Sequence, residues 1–158
     1  MSSTQSPATI GYRMHEGELR VPSTWQDQSM HVFRVPADRG GSDASFVVTR
    51  DYDGAAKSAM AYAAEQLSTL KQKFQGFNLL ATCESTFDGV DGVIVDYEWQ
   101  SNAVMLRQRQ AYIPTSASML TLTLTARAVS FESHEASWQK VLGSLHLTNE
   151  PARRDLRR

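Results

Sequence analysis

The chain has 158 residues, of which 41% are apolar and 21% charged, with 16 basic and 17 acidic side chains for a formal charge of −1. One domain of that length buries roughly 70% of its unfolded surface, so a core forms without metal or disulfide. The composition excludes a collagen-like fibre, a coiled-coil rod and a disordered chain, and the balanced charge excludes the basic face that nucleic acid requires.

Residues 1–9 are small and polar and predict a loose leader. Ile10–Met14 and Leu19–Val21 flank the turn-like His15–Glu18 and predict a hairpin. Pro22 and Trp25 follow in a loop or short helical turn. Met30–Val35 alternates as a strand until Pro36, and Ala37–Asp43, with Gly40 and Gly41, predicts a loop. Phe46–Arg50 is a further strand, ended by Asp53 and Gly54. Ala55–Phe74 is the clearest helix. Ala56, Ala59, Met60, Ala63, Leu67, Leu70 and Phe74 share one arc, Lys71 and Lys73 lie in its last turn, and Gly76 stops it. Four strands follow over Phe77–Phe87, Val93–Gln100, Val104–Ile113 and Met119–Ala128, joined by short turns. In the last, Leu120, Leu122, Leu124 and Ala126 alternate with Thr121, Thr123, Thr125 and Arg127, a pattern for one buried face. Ser133–Leu145 predicts a closing helix with Trp138, Val141, Leu142 and Leu145 on its apolar side. Residues 149–158, with four arginines, predict a basic flexible tail. Connections this short favour antiparallel pairing, so the class is α+β, with one domain over residues 10–148.

Cys83 is the single cysteine, so no internal disulfide forms and a reducing cytoplasm is the expected compartment. Its alternating surroundings make it a small core or strand residue. No secretory signal pattern opens the sequence, and no run approaches the roughly 18 apolar residues of a membrane span. Phosphate loops, nucleophile elbows and zinc-type histidine pairs are missing. The two Ser-x-x-Lys strings, Ser68–Lys71 and Ser137–Lys140, fall on solvated helix faces. Asp96 and Glu98 share a strand face that reads as solvated. No enzyme, metal or cofactor is expected.

The long helix is unusually small-sided. Ala55, Ala59 and Ala63 repeat every fourth residue, the spacing that lets another backbone approach closely. Gln66 lies at the edge of the apolar arc. This stripe is open to two readings: a helix seated tightly on its own sheet, or a surface for a foreign helix. Val104, Leu106 and Gln108 share one face of their strand, opposite Met105, Arg107, Arg109 and Ala111. Met30 and Val32 share a face opposite Phe33 and Val35. Several strands are thus apolar on both sides. The surplus implies either a second packed layer or an exposed apolar groove edged by amides, suited to an apolar helix carrying a few polar groups.

The segment Tyr12–Pro36, with its Trp25-Gln26-Asp27-Gln28-Ser29 string, resembles the start of the Eag chaperones of bacterial type VI secretion. These belong to the DcrB-like group with a PsbP-like α+β fold. The resemblance continues through Ser45–Asp51, Tyr62–Leu67, Asp96–Gln100, Met105–Gln108 and Thr121–Thr125 to the helix holding His134 and Trp138. It implies a cytoplasmic homodimeric chaperone that binds the N-terminal transmembrane segments of PAAR-containing effectors, often Rhs-type toxins, without inserting into the membrane. It further implies a groove whose glutamines fall on Gln66 and Gln108. The apolar positions fall on Met30, Val32, Val47, Leu70 and Val104; Ala59, Ala63 and Leu106, marked by pattern, complete the expected site. Arg109 and Gln110 depart from the more apolar residues expected there. The rival reading is a generic PsbP-like interaction module that binds a folded partner.

Overall fold

The computed structural model describes residues 8–37 and 41–148; the tail, most of the leader and part of the expected Ala37–Asp43 loop lie outside them. The described residues fall into two compact units, residues 8–28 with 147–148, and Ser29–His146.

The first unit is the expected hairpin. β1 (Thr9–Met14) pairs antiparallel with β2 (Gly17–Pro22), from Thr9 opposite Pro22 to Met14 opposite Gly17. Arg20 Nε donates to Thr9 Oγ1 across the pair at 3.2 Å, and Trp25 N–H donates to Pro22 O at 3.0 Å to turn the chain onward.

The second unit is a six-stranded antiparallel sheet with helices on both faces. Its strands are β3 (His31–Val35), β4 (Ala44–Asp51), β5 (Asn78–Phe87), β6 (Val90–Ser101), β7 (Val104–Pro114) and β8 (Met119–Arg127), in the order β3-β4-β8-β7-β6-β5. The last four form the expected meander. Two-residue turns join β5 to β6 and β6 to β7, their left-handed backbone supplied by Asp88 and Gly89 (φ 49° and 81°) and by Asn102 (φ 56°), and the four residues 115–118 join β7 to β8. Between β4 and β5 the chain crosses one face as α1 (Ala59–Lys73).

Helix α1 starts four residues later than its apolar pattern suggests. Tyr52–Gly54 winds a 3-10 turn, and Ser58, in extended backbone, caps the helix by accepting from Ala61 N–H at 3.1 Å. Alanine propensity at 55 and 56 loses to this cap. The closing helix also begins later than expected. Ala128–His134 is a 3-10 segment and α2 spans Glu135–Gly143.

Ala59, Tyr62 and Ala63 of α1 pack on Val93, Val95 and Tyr97 of β6, Tyr112 of β7 and Met119 of β8. Tyr62 meets Tyr112 edge-on at 5.1 Å, and Phe74 stacks on Trp99 at 4.6 Å. The other sheet face carries Phe46, Leu122, Leu124 and Ala126, covered by Phe131 and Trp138. Strand β8 is therefore buried on both faces, and the expectation of one buried face is corrected. Thr121 and Thr123 are as enclosed as the leucines, because β8 sits between β4 and β7. Cys83 lies on edge strand β5 and is exposed.

Candidate functional site

Cross-strand partners share a sheet face, so the register decides which expected site residues meet. On the α1 face, Val32 stands opposite Val47, Val47 opposite Thr123, and Thr123 opposite Gln110. The next row runs Ser45, Thr125, Gln108 and Tyr97. Leu106 and Val104 continue the Gln108 side of β7, with Leu106 opposite Trp99. Alternation thus puts Val32, Val47, Val104, Leu106 and Gln108 on one face.

Helix α1 covers only part of that face. It lies over β6 and β7, and the β3 end is left open: Val32 is 62% exposed and Met30, just before β3, is 59% exposed. Arg50 Nη1 ties down the approach to β3 by donating to Ser29 O at 3.2 Å. Val47, Val104, Leu106 and Gln108 are half-buried. On α1, Leu70 packs against the rim of the core and Gln66 is half-buried. Helical spacing puts Gln66 on the flank that carries Tyr62, and Tyr62 reaches across to β4, its hydroxyl donating to Asp51 Oδ2 at 2.8 Å.

Ala59 and Ala63 are corrected. They are 6% and 2% exposed and lie inside the core against β6 and β7. Their small side chains bring the helix close to its own sheet, so the stripe offers no outward surface.

A polar network that composition did not reveal lies on this same face. The Tyr97 hydroxyl donates to Gln108 Oε1 at 2.6 Å, the Tyr112 hydroxyl donates to Gln110 Oε1, and Gln110 Nε2 donates to Thr123 Oγ1 at 3.2 Å. Burial pushes both phenols to higher pKa, so they stay protonated donors. Gln110, which departs from the expected apolar pattern, is thus a buttress for this face. Two-residue alternation from Gln108 was the signal for it, and from Val93 and Val95 the signal for Tyr97.

Arg109, the other departure, points to the opposite face. There Asp96 is 4% exposed and paired with both Arg107 and Arg109, which corrects its reading as a solvated carboxylate. Both guanidiniums lie over Phe131, at 4.4 and 5.2 Å, and reach outward to Glu132 and Glu135. Burial works against the Glu135 carboxylate. Hydrogen bonds from Gln139 and Arg109 and the arginine charges outweigh it and hold its pKa below the usual value. His134 is buried with a ring nitrogen 3.0 Å from Ser42 O. An apolar cavity of about 430 Å³ opens on this opposite face between β3 and α2, lined by Phe33, Val35, Phe46, Leu124, Trp138 and Val141 among others.

Among the described residues no cluster of metal-ligating side chains occurs, and no helix is long and apolar enough to cross a membrane.

The DcrB family matches residues 16–144 of this chain. A protein of Pseudomonas aeruginosa (strain PAO1) named Effector EagT6 is 34% identical over 134 residues, spanning 85% of this chain and 93% of that protein. Among solved structures, a Pseudomonas aeruginosa protein of unknown function, PA94, is similar with a TM-score of 0.80 at 32% identity, covering 90% of this chain and 99% of that one. The cyanobacterial PsbP protein CyanoP of Synechocystis sp. PCC 6803 aligns with a TM-score of 0.50 at 10% identity over 94% of this chain and 97% of its own, a likeness of fold alone. The fold is α+β and PsbP-like. By the family match and the relative at 34% identity, this chain belongs to the DcrB family.

Proposed function

We propose that this chain is a cytoplasmic chaperone rather than an enzyme. It binds the N-terminal transmembrane segments of a PAAR-containing, Rhs-type effector and shields them before the effector is loaded onto the type VI secretion apparatus. It works as a homodimer. The observation that carries the reading is the open end of the α1 face, where exposed Met30 and Val32 adjoin Val47 on the same sheet surface as the Gln108 amide. The Eag resemblance read from the sequence and the relative named Effector EagT6 support it.

A segment of roughly 20 apolar residues has no stable home in water and would aggregate or enter the producing cell's own membrane. Covering about 800 Å² of it is worth on the order of 20 kcal/mol gross before the costs of association. Membrane helices pack through small and polar residues. Gln66 and Gln108 would satisfy such groups, and Met30, Val32, Val47, Leu70, Val104 and Leu106 would supply the apolar bed.

The test is co-expression of the full chain with the effector's membrane segment fused to a soluble carrier. The segment should stay in solution with the wild type and lose at least tenfold in recovery with Leu70→Asp or Gln66→Ala. A segment that precipitates equally with and without the chain overturns the reading and favours a module for a folded partner.

A further inference from the structure

We infer that Tyr97 holds the Gln108 carbonyl in the buried network and leaves its N–H donors unanswered, and that the groove thereby selects apolar helices that bare a hydrogen-bond acceptor, most simply a backbone carbonyl freed by proline. The inference rests on the groove reading above and names the chemistry that reading leaves open.

Tyr97 is 1% exposed, and its ring is fixed between Phe77 at 5.2 Å and Trp99 at 5.8 Å. A phenol has one proton to give. Its oxygen lies 2.6 Å from Gln108 Oε1 and 3.3 Å from Gln110 Oε1, so the shorter bond takes the proton. Gln110 is already engaged at both ends, by the Tyr112 hydroxyl and by Thr123. The buried network is closed, with the Gln108 carbonyl inside it. The remaining end of that half-buried carboxamide is Nε2, which has no hydrogen-bond partner among the described residues. A glutamine whose oxygen is turned into the buried network presents its two N–H donors at the other end.

A regular apolar helix cannot answer those donors, because its carbonyls are spent on its own i to i−4 bonds. Proline removes one such bond and leaves the carbonyl four residues earlier bare. In a groove from which water is expelled, an amide N–H that meets no acceptor weakens binding, and one that meets a carbonyl strengthens it. The expected discrimination is about tenfold, or ~1.4 kcal/mol.

The probes are two Leu/Ala segments of about 20 residues, one with a central proline and its twin without, each fused to a soluble carrier and co-expressed with the full chain. Wild type should recover the proline segment about tenfold over its twin. Tyr97→Phe should keep the twin and lose most of the preference. Gln108→Glu, the same shape without the donors, should abolish it. On a Gln108→Leu background, Tyr97→Phe should change recovery no further, which separates positioning from loosening of the core. Equal recovery of the twins by wild type, full preference in Tyr97→Phe or Gln108→Glu, or additive losses in the double variant overturn the inference and leave the chaperone reading standing. Recovery of neither segment by wild type overturns both.

Discussion

The Arg107 guanidinium forks onto the Asp96 carboxylate, with Nε donating to Oδ1 at 2.9 Å and Nη2 to Oδ2 at 2.8 Å. Arg109 Nε adds a third donor to Oδ2 at 3.0 Å. One enclosed carboxylate thus holds two guanidiniums on the face opposite α1, and Phe131 seals them from beneath. The paired strands β6 and β7 are fixed there by charge, which keeps Tyr97 and Gln108, opposite each other in the same register, in place on the α1 side.

Removing Asp96 leaves two poorly solvated arginines facing each other. Asp96→Ala should cost about 1–3 kcal/mol, because it strips buried guanidinium donors of their acceptor while Glu132 and Glu135 still pair with Arg107 and Arg109. Asp96→Asn, which keeps a hydrogen-bond acceptor but not the charge, should cost less. Denaturant unfolding of the two variants checks the order, and equal small losses would show the cluster to be water-filled in solution.

Val32 and Phe33 are neighbours that face opposite ways, toward the groove and toward the cavity beside α2. Both are more than half exposed, so an aspartate at either site disturbs stability little, within about 0.5 kcal/mol. Val32→Asp should reduce recovery of an apolar segment at least tenfold, and Phe33→Asp should leave it near wild type. The reverse outcome would move the binding surface to the Trp138 cavity.

Most of the architecture was legible because strand alternation and turn chemistry are local. The four meander strands came within three residues of their ends, since Asp88-Gly89 and Asn102 mark their own turns. Which face each residue joined was also legible, as Val104, Leu106 and Gln108 show. What local pattern could not supply was the neighbour across the sheet. Asp96 read as solvated because Arg107 and Arg109 come from another strand. Thr121 and Thr123 read as an open face because only the strand order makes β8 central. The alanine stripe was readable as small, but not as inward, since either partner accepts the same spacing.

Ala63 tests that last point. At 2% exposure it leaves no room between α1 and the sheet, so Ala63→Leu should overpack the core and cost about 1–3 kcal/mol. At a surface site the change would instead cost only the small propensity difference between alanine and leucine, about a few tenths of a kcal/mol. Thermal unfolding distinguishes the two: the midpoint falls by several degrees if the stripe seats the helix, and holds if it faces a partner.

Glu135 carries the pH dependence of the opposite face. Its pKa lies below the ordinary glutamate value, so the folded protein binds its proton less readily than the unfolded chain does. Stability from this group is therefore complete above about pH 4.5 and is lost as pH falls through the lower folded value. Its side chain is 38% exposed, so solvent screens the pair with Arg109 to about 1 kcal/mol or less. Glu135→Gln should lower the unfolding midpoint by a few degrees at pH 7, and the gap from wild type should narrow as pH is lowered from 7 down through the carboxylate range. A gap of constant size across that range would mean that the glutamate acts through its hydrogen bond with Gln139 and not through its charge.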